Sequence, residues 1–144
     1  MFQFNSLKTN YVEKPNNVQG SPVFSWTYVL GSKQKQAAYR VLVSSSEAHE
    51  GDYWDSGRIA SDKMFNVLYE GKPLDSRKKF FVKVIAENQD GESASIESHF
   101  FTTLQENEWL GRWVSLPESF HGSSLLLRKR IEIADKPIKS AFVY

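Results

Sequence analysis

The sequence contains no cysteine. That excludes disulfides, cysteine-ligated zinc, iron–sulfur clusters and thiol catalysis. Histidine is scarce: His49, His99 and His121 are scattered without ligand spacing. No metal and no cofactor is expected, and each histidine reads as a surface or half-buried side chain. Neither sign of charge dominates, since 18 Lys and Arg stand against 17 Asp and Glu for a net charge of +1. Such a balance leaves no electrostatic footprint for nucleic acid or an anionic membrane. Arg77-Lys78-Lys79 and Arg128-Lys129-Arg130 are short, and read as solvated faces or edge-strand guards. No apolar run approaches the roughly 20 residues that span a bilayer. The start, Met1 to Lys8, lacks the basic segment and apolar block of a secretory signal. A cytoplasmic location is expected if Met1 is the native start; otherwise a secreted or periplasmic one stays open. A helical apolar period is missing as well, and Glu106 to Val114 offers one helical turn at most.

What the sequence has is aromatic mass in alternation. Ten Phe, six Tyr and four Trp occur in 144 residues, enough for a core without staples. Phe24, Trp26, Tyr28 and Leu30 share one face of an extended segment. Tyr39, Val41 and Val43 do so in the next, followed by Phe65, Val67 and Tyr69. Then come Phe80, Val82, Val84 and Ala86, and finally Ala94, Ile96 and Phe100. Period two puts one face in a core and the other toward water. Turn material separates the segments at Gly31-Ser32, Glu50-Gly51-Asp52 and Glu70-Gly71-Lys72-Pro73. Asn88-Gln89-Asp90-Gly91 is the strongest hairpin signal, because Asp-Gly supplies positive φ at low cost. Short strands at this spacing predict an all-β, antiparallel β-sandwich over residues 1–104.

The composition changes after Leu104. Trp109 and Trp113 stand in a linking stretch, and a strand with Leu125, Leu127, Ile131 and Ile133 on one face follows. Asp135-Lys136-Pro137 turns the chain into a segment over 138–144. Residues 105–144 therefore read as a linker and the truncated start of a second β-sandwich domain, an incomplete β segment by itself.

Two resemblances narrow this reading. Leu74, Phe80, Val82, Val84, Ala86, Asn88, Gly91 and Ser93 resemble the sixth strand and following turn of a fibronectin type III domain, an immunoglobulin-like fold. Trp26 resembles its core tryptophan. Phe80 departs from the family's usual tyrosine, so the corner hydroxyl that bonds back toward Leu74 is expected to be missing. The whole chain also resembles the N-terminal region of bacterial α-L-rhamnosidases. The similarity is carried, in order, by Pro22-Val-Phe-Ser-Trp26, Gln36-Ala-Ala-Tyr39, Tyr53-Trp-Asp-Ser-Gly57 and Tyr69-Glu-Gly-Lys-Pro-Leu74. It continues through Glu108-Trp-Leu-Gly-Arg-Trp-Val114, Leu127-Arg-Lys129 and Ile138-Lys-Ser-Ala141. The resemblance implies a glycoside hydrolase acting on terminal α-L-rhamnose by inversion. Its catalytic (α/α)6 barrel would lie beyond residue 144, so no catalytic residue carries over.

Four residues are candidates for contact. Trp54 and Asp55 could form a sugar-stacking edge, ring as platform and carboxylate as acceptor. Trp54-Asp-Ser-Gly57 also reads as a strand ending in a bulge or turn, which explains the residue types without a ligand. Trp109 and Trp113 could bind sugar, or could wedge between domains where aromatic area is most useful. Inverting hydrolysis needs two carboxyls about 6.5–9.5 Å apart; Asp52 with Asp55, or Asp90 with Glu92, sit instead in turn signals where acids cap and solvate. The fragment itself is thus expected to be a non-catalytic accessory domain. Its expected partners are the remaining domains of the parent enzyme, with carbohydrate and a second copy paired through the tail as further candidates. A carbohydrate-binding module and a generic adhesion or protein-interaction sandwich are the alternative readings.

Overall fold

The computed structural model describes residues 2–29, 35–104, 106–112, 114–115, 124, 126–138 and 141. Seven strands are present among them: β1 (Phe4–Thr9), β2 (Val23–Tyr28), β3 (Gln36–Ser44), β4 (Trp54–Asp55), β5 (Val67–Leu68), β6 (Lys79–Asn88) and β7 (Ser93–Phe101). They form one sheet of order β1-β2-β5 and a second of order β4-β3-β6-β7, with every pairing antiparallel. A sandwich of three and four strands results, as the alternation predicted.

The inward faces are the ones the sequence marks. Phe24, Val41, Val43, Phe80, Val82, Val84, Ala86 and Phe100 are fully buried, and Trp26 nearly so. The Phe80 and Phe100 rings stack 5.7 Å apart, and Trp26 meets the edge of Tyr39 at 5.3 Å. Polar groups inside the core are satisfied: Gln36 accepts hydrogen bonds from Trp26 Nε1 (2.9 Å) and Tyr28 Oη (2.5 Å). Its amide donates to the carbonyls of Ser61 and Lys63. Burial pushes the Tyr28 phenol up to about 12.

The β6–β7 hairpin turns where Asp90-Gly91 predicts. Asn88 N–H donates to Glu92 O, the Asn88 side-chain oxygen accepts from the N–H of Asp90 and Glu92, and Gly91 has φ +82°. β1 is less legible in sequence. Its pairing with β2 shifts register between Phe4 and Ser6, so its buried residues run Phe4, Leu7, Thr9 and lose the strict alternation.

One expectation needs correction. Phe65 does not join Val67 and Tyr69 in the core; it is exposed, with its ring 5.8 Å from that of Tyr11. Strand β5 is short, and Phe65 lies before it, outside the alternating register. No strand occurs among the described residues of 124–141, where Leu126, Leu127, Ile131, Ile133 and Ile138 are exposed. An alternating segment becomes a strand only through a neighbour's hydrogen bonds, and two strands alone are marginal. Leu30, the Gly31-Ser32 turn, Trp113 and Leu125 lie outside the described residues, as does most of 138–144.

The chain divides into two compact units, Met1–Trp109 and Leu110–Tyr144. A 3-10 turn, Glu106–Glu108, lies near the end of the first. Within it, Glu108 accepts a hydrogen bond from Ser76 Oγ at 2.8 Å and pairs with Arg77 at 3.5 Å.

Candidate functional site

Residues 53–59 run beside β3. Tyr53 and Ser56 N–H donate to Val43 O and Val41 O, and Ile59 and Tyr39 exchange both backbone hydrogen bonds. This places Trp54 and Asp55 on opposite faces of the sheet edge. Trp54 points inward and is half-buried against the core. Its ring stacks on Phe24 at 6.3 Å and meets Tyr69 edge-on at 5.4 Å. Gly71 closes over it: a Cβ there would stand 2.5 Å from Trp54 Cβ, Tyr53 O and Tyr69 Oη. The glycine of the predicted turn at 70–73 is thus required by close approach.

Asp55 faces outward and receives a two-pronged contact from Arg40, at 2.8 Å from Nε and 2.5 Å from Nη2. Gly57 N–H adds a third donor at 2.9 Å, and Gly57 sits at φ +64°. The bond from Arg40 holds the Asp55 carboxyl below its usual range. Asp52 is lowered too, chiefly by the Ser45 hydroxyl, which donates at 2.6 Å. A general acid for glycoside cleavage needs a raised pKa, and both carboxyls shift the other way. Glu92 is engaged by the Asn88 amide in the hairpin turn.

The corner left without a tyrosine at Phe80 is latched from elsewhere. Phe80 is fully buried, with the Tyr53 ring edge-on at 4.7 Å. Tyr69 Oη donates to Lys72 O at 2.6 Å, and burial pushes its phenol up to about 12. Thr102 Oγ1 donates to Asp75 O at 2.6 Å, and Tyr53 Oη donates to the Asp75 carboxylate at the same distance. Three hydroxyls from other positions therefore hold the 69–78 corner. Trp109 follows the 3-10 turn and is about half exposed. The structure does not bring it together with Trp54 and Asp55 in any described contact.

Sequence reasoning passed over a second place. On the outer face of β6 and β7, a cleft of about 450 Å³ is lined by Lys14, Glu47, His49, Lys79, Phe81, Glu97, Ser98 and His99. Lys79 Nζ lies 4.7 Å from the Phe81 ring centre, and Glu97 pairs with Lys83 at 2.8 Å and with His49 Nε2 at 3.4 Å. Desolvation by burial lowers His99, assisted by the nearby Lys79 and Lys14 charges. The cleft joins residues from four separate stretches, so no local motif announces it.

Comparison with known proteins agrees with this architecture. The family described as the Rha78A-like, N-terminal immunoglobulin domain matches residues 4–106. An α-L-rhamnosidase of Formosa agariphila is 33% identical over 108 residues, covering 70% of this chain and 12% of that protein. One of Streptomyces avermitilis is 34% identical over 119 residues, covering 78% and 12%. The crystal structure of the Streptomyces avermitilis α-L-rhamnosidase complexed with L-rhamnose superimposes with a TM-score of 0.75 at 31% identity, covering 83% of this chain and 12% of that one. The α-L-rhamnosidase from Dictyoglumus thermophilum gives 0.72 at 32% identity, covering 81% and 14%. The chain thus spans about 12–14% of the length of these relatives. Sandwich topology, core residues and these matches together assign the chain to the Rha78A-like N-terminal immunoglobulin domain family.

Proposed function

We propose that this chain is the non-catalytic N-terminal module of an α-L-rhamnosidase, an enzyme removing terminal α-L-rhamnose by inversion. One observation carries the reading: the chain superimposes on a small share, 12%, of a rhamnosidase to which it is 31% identical. Lowered carboxyls at Asp52 and Asp55 support a role without acid–base chemistry. The module's task is to pack against its neighbours and help position them. Residues 105–144 would begin the next β-sandwich, with the apolar side chains of 126–138 covered by later strands of the parent. In this reading Trp109, about half exposed, is available to the neighbouring domains of the parent; Trp113 lies outside the described residues.

Purified 1–144 is expected to leave a chromogenic α-L-rhamnoside intact, while the parent chain cleaves it and first releases the inverted anomer by NMR. Turnover by 1–144 that is lost in Asp52→Asn or Asp55→Asn would overturn the reading. Without its parent, the apolar tail is expected to pair with a second copy. Light scattering should then find 1–144 dimeric and 1–109 monomeric; two monomers would refute the pairing.

A further inference from the structure

We propose that the apolar patch built on Tyr11 and Phe65, beside the three-stranded sheet, is where this module docks onto an uncharged, apolar face of a neighbouring domain of its parent enzyme. The proposal rests on the accessory-module reading and names the surface that reading leaves open. The patch is held in place by its own backbone. Thr9 and Val12 exchange both backbone hydrogen bonds, at 3.0 and 3.1 Å, and between them Asn10 and Tyr11 hold φ of +48° and +66°. A two-residue turn with both central residues left-handed asks for glycine at its second position. Tyrosine stands there instead, a steric outlier for a bulky residue, and it is 55% exposed. On the facing loop Asn66 is left-handed too, at φ +54°. Its side-chain oxygen accepts from Tyr11 Oη at 2.7 Å, and its N–H donates to Ser25 Oγ at 3.1 Å. Phe65, 58% exposed, has its ring 5.8 Å from that of Tyr11. Asn10 N–H donates to Val23 O, and Val23 pairs with Leu68, which brings the outward-facing Leu68 to the same place. Strained backbone that fixes side chains in solvent is kept where they have a use.

Composition chooses the kind of partner. Clustered exposed apolar side chains mark contact sites, and aromatic residues are enriched in the cores of protein interfaces. Val12 and Leu68, each about half exposed, extend the surface beyond the two rings. Aliphatic groups suit a protein face and offer a sugar no hydrogen bond. None of the four side chains is charged, so the matching face is apolar and uncharged. Area then separates a second copy from a tethered domain. Four half-exposed side chains fall short of the about 800 Å² per partner that free-standing complexes bury. A domain on the same chain needs less, because the tether supplies effective concentration. The chain spans 12–14% of the rhamnosidases it matches, so most of each relative's length lies outside this module.

The test is hydroxyl-radical footprinting of 1–144 and of the parent chain, read residue by residue by mass spectrometry. Tyr11 and Phe65 should react readily in 1–144 and lose most of that reactivity in the parent. Tyr11→Asn combined with Phe65→Ser keeps a residue tolerant of positive φ at the turn. It should leave the Tm of 1–144 nearly unchanged and open Val12 and Leu68 to the radical in the parent. Equal reactivity of both rings in 1–144 and the parent would overturn the proposal. So would shielding in 1–144 that grows with its own concentration, which assigns the patch to a second copy, or with methyl α-L-rhamnopyranoside, which assigns it to a sugar. Cleavage of an α-L-rhamnoside is measured on the same parent. A parent that cleaves it with both rings open refutes the docking surface alone; one that shields them without cleaving it refutes the rhamnosidase reading alone.

Discussion

The edge at Trp54–Gly57 and the cleft at His49 carry similar chemistry and differ in what is already committed. Both offer an aromatic ring, carboxylates and cationic side chains. At the edge, the Trp54 ring is engaged by Phe24 and Tyr69, and Asp55 by Arg40 and Gly57. At the cleft, His49 Nδ1 has no partner among the described residues, and two side chains sit on strained backbone. Residue type alone points to the edge. Among the described residues, the one unfilled polar atom beside the cleft, His49 Nδ1, is buried. A tryptophan and an aspartate make a site only if the fold leaves them something to bind.

The comparison breaks most visibly in stability. Trp54→Ala is expected to cost about 3 kcal/mol, the lower end for a buried large aromatic, because the ring is half-buried. In a domain of this size that lowers Tm by roughly 12–24 °C. A shift of a few degrees in thermal denaturation would mean the ring is a platform and not a core member. Gly71→Ala should cost about 1–3 kcal/mol by overpacking, since its Cβ would meet Trp54, Tyr53 and Tyr69 at 2.5 Å. A neutral result in the same assay would show that the 70–73 turn yields.

The smallest effect belongs to Asp55→Asn. The Arg40 and Asp55 side chains are 46% and 37% exposed, so the pair contributes below about 1 kcal/mol. It also sharpens the acid limb. Asp52, Asp55, Asp75, Glu87 and Glu97 are all lowered in the folded state, so the folded state binds protons less readily than the unfolded one. Their contributions are present above the ordinary carboxylate range and are lost as pH falls, from about pH 4.5 downward. Tm measured against pH should decline there, slightly less steeply in Asp55→Asn. A steeper decline in the variant would contradict the pairing.

How much of this the sequence discloses follows from distance along the chain. β6 and its turn are legible because alternation and Asp90-Gly91 are local signals. β1 is obscured because one extra residue at Asn5 puts Phe4 and Leu7 out of phase. Trp54 and Asp55 stand in the sequence as a motif, yet their partners Phe24, Tyr69 and Arg40 come from other strands, so only the fold reveals that both are engaged. The corner has the same character. The missing hydroxyl of Phe80 is visible in the sequence, and its replacements on Tyr53, Tyr69 and Thr102 are not. The His49 cleft has no local signature, since Lys14, His49, Lys79 and Glu97 meet only through β6, β7 and the two loops beside them.

The most direct measurement reads the thermal stability of Trp54→Ala in 1–144 together with its response to a neutral pyranoside. Because the ring is held by Phe24 and Tyr69, Tm is expected to fall by roughly 12–24 °C. A Tm within a few degrees of the unsubstituted chain, with loss of pyranoside binding at the Trp54–Gly57 edge, would contradict the account.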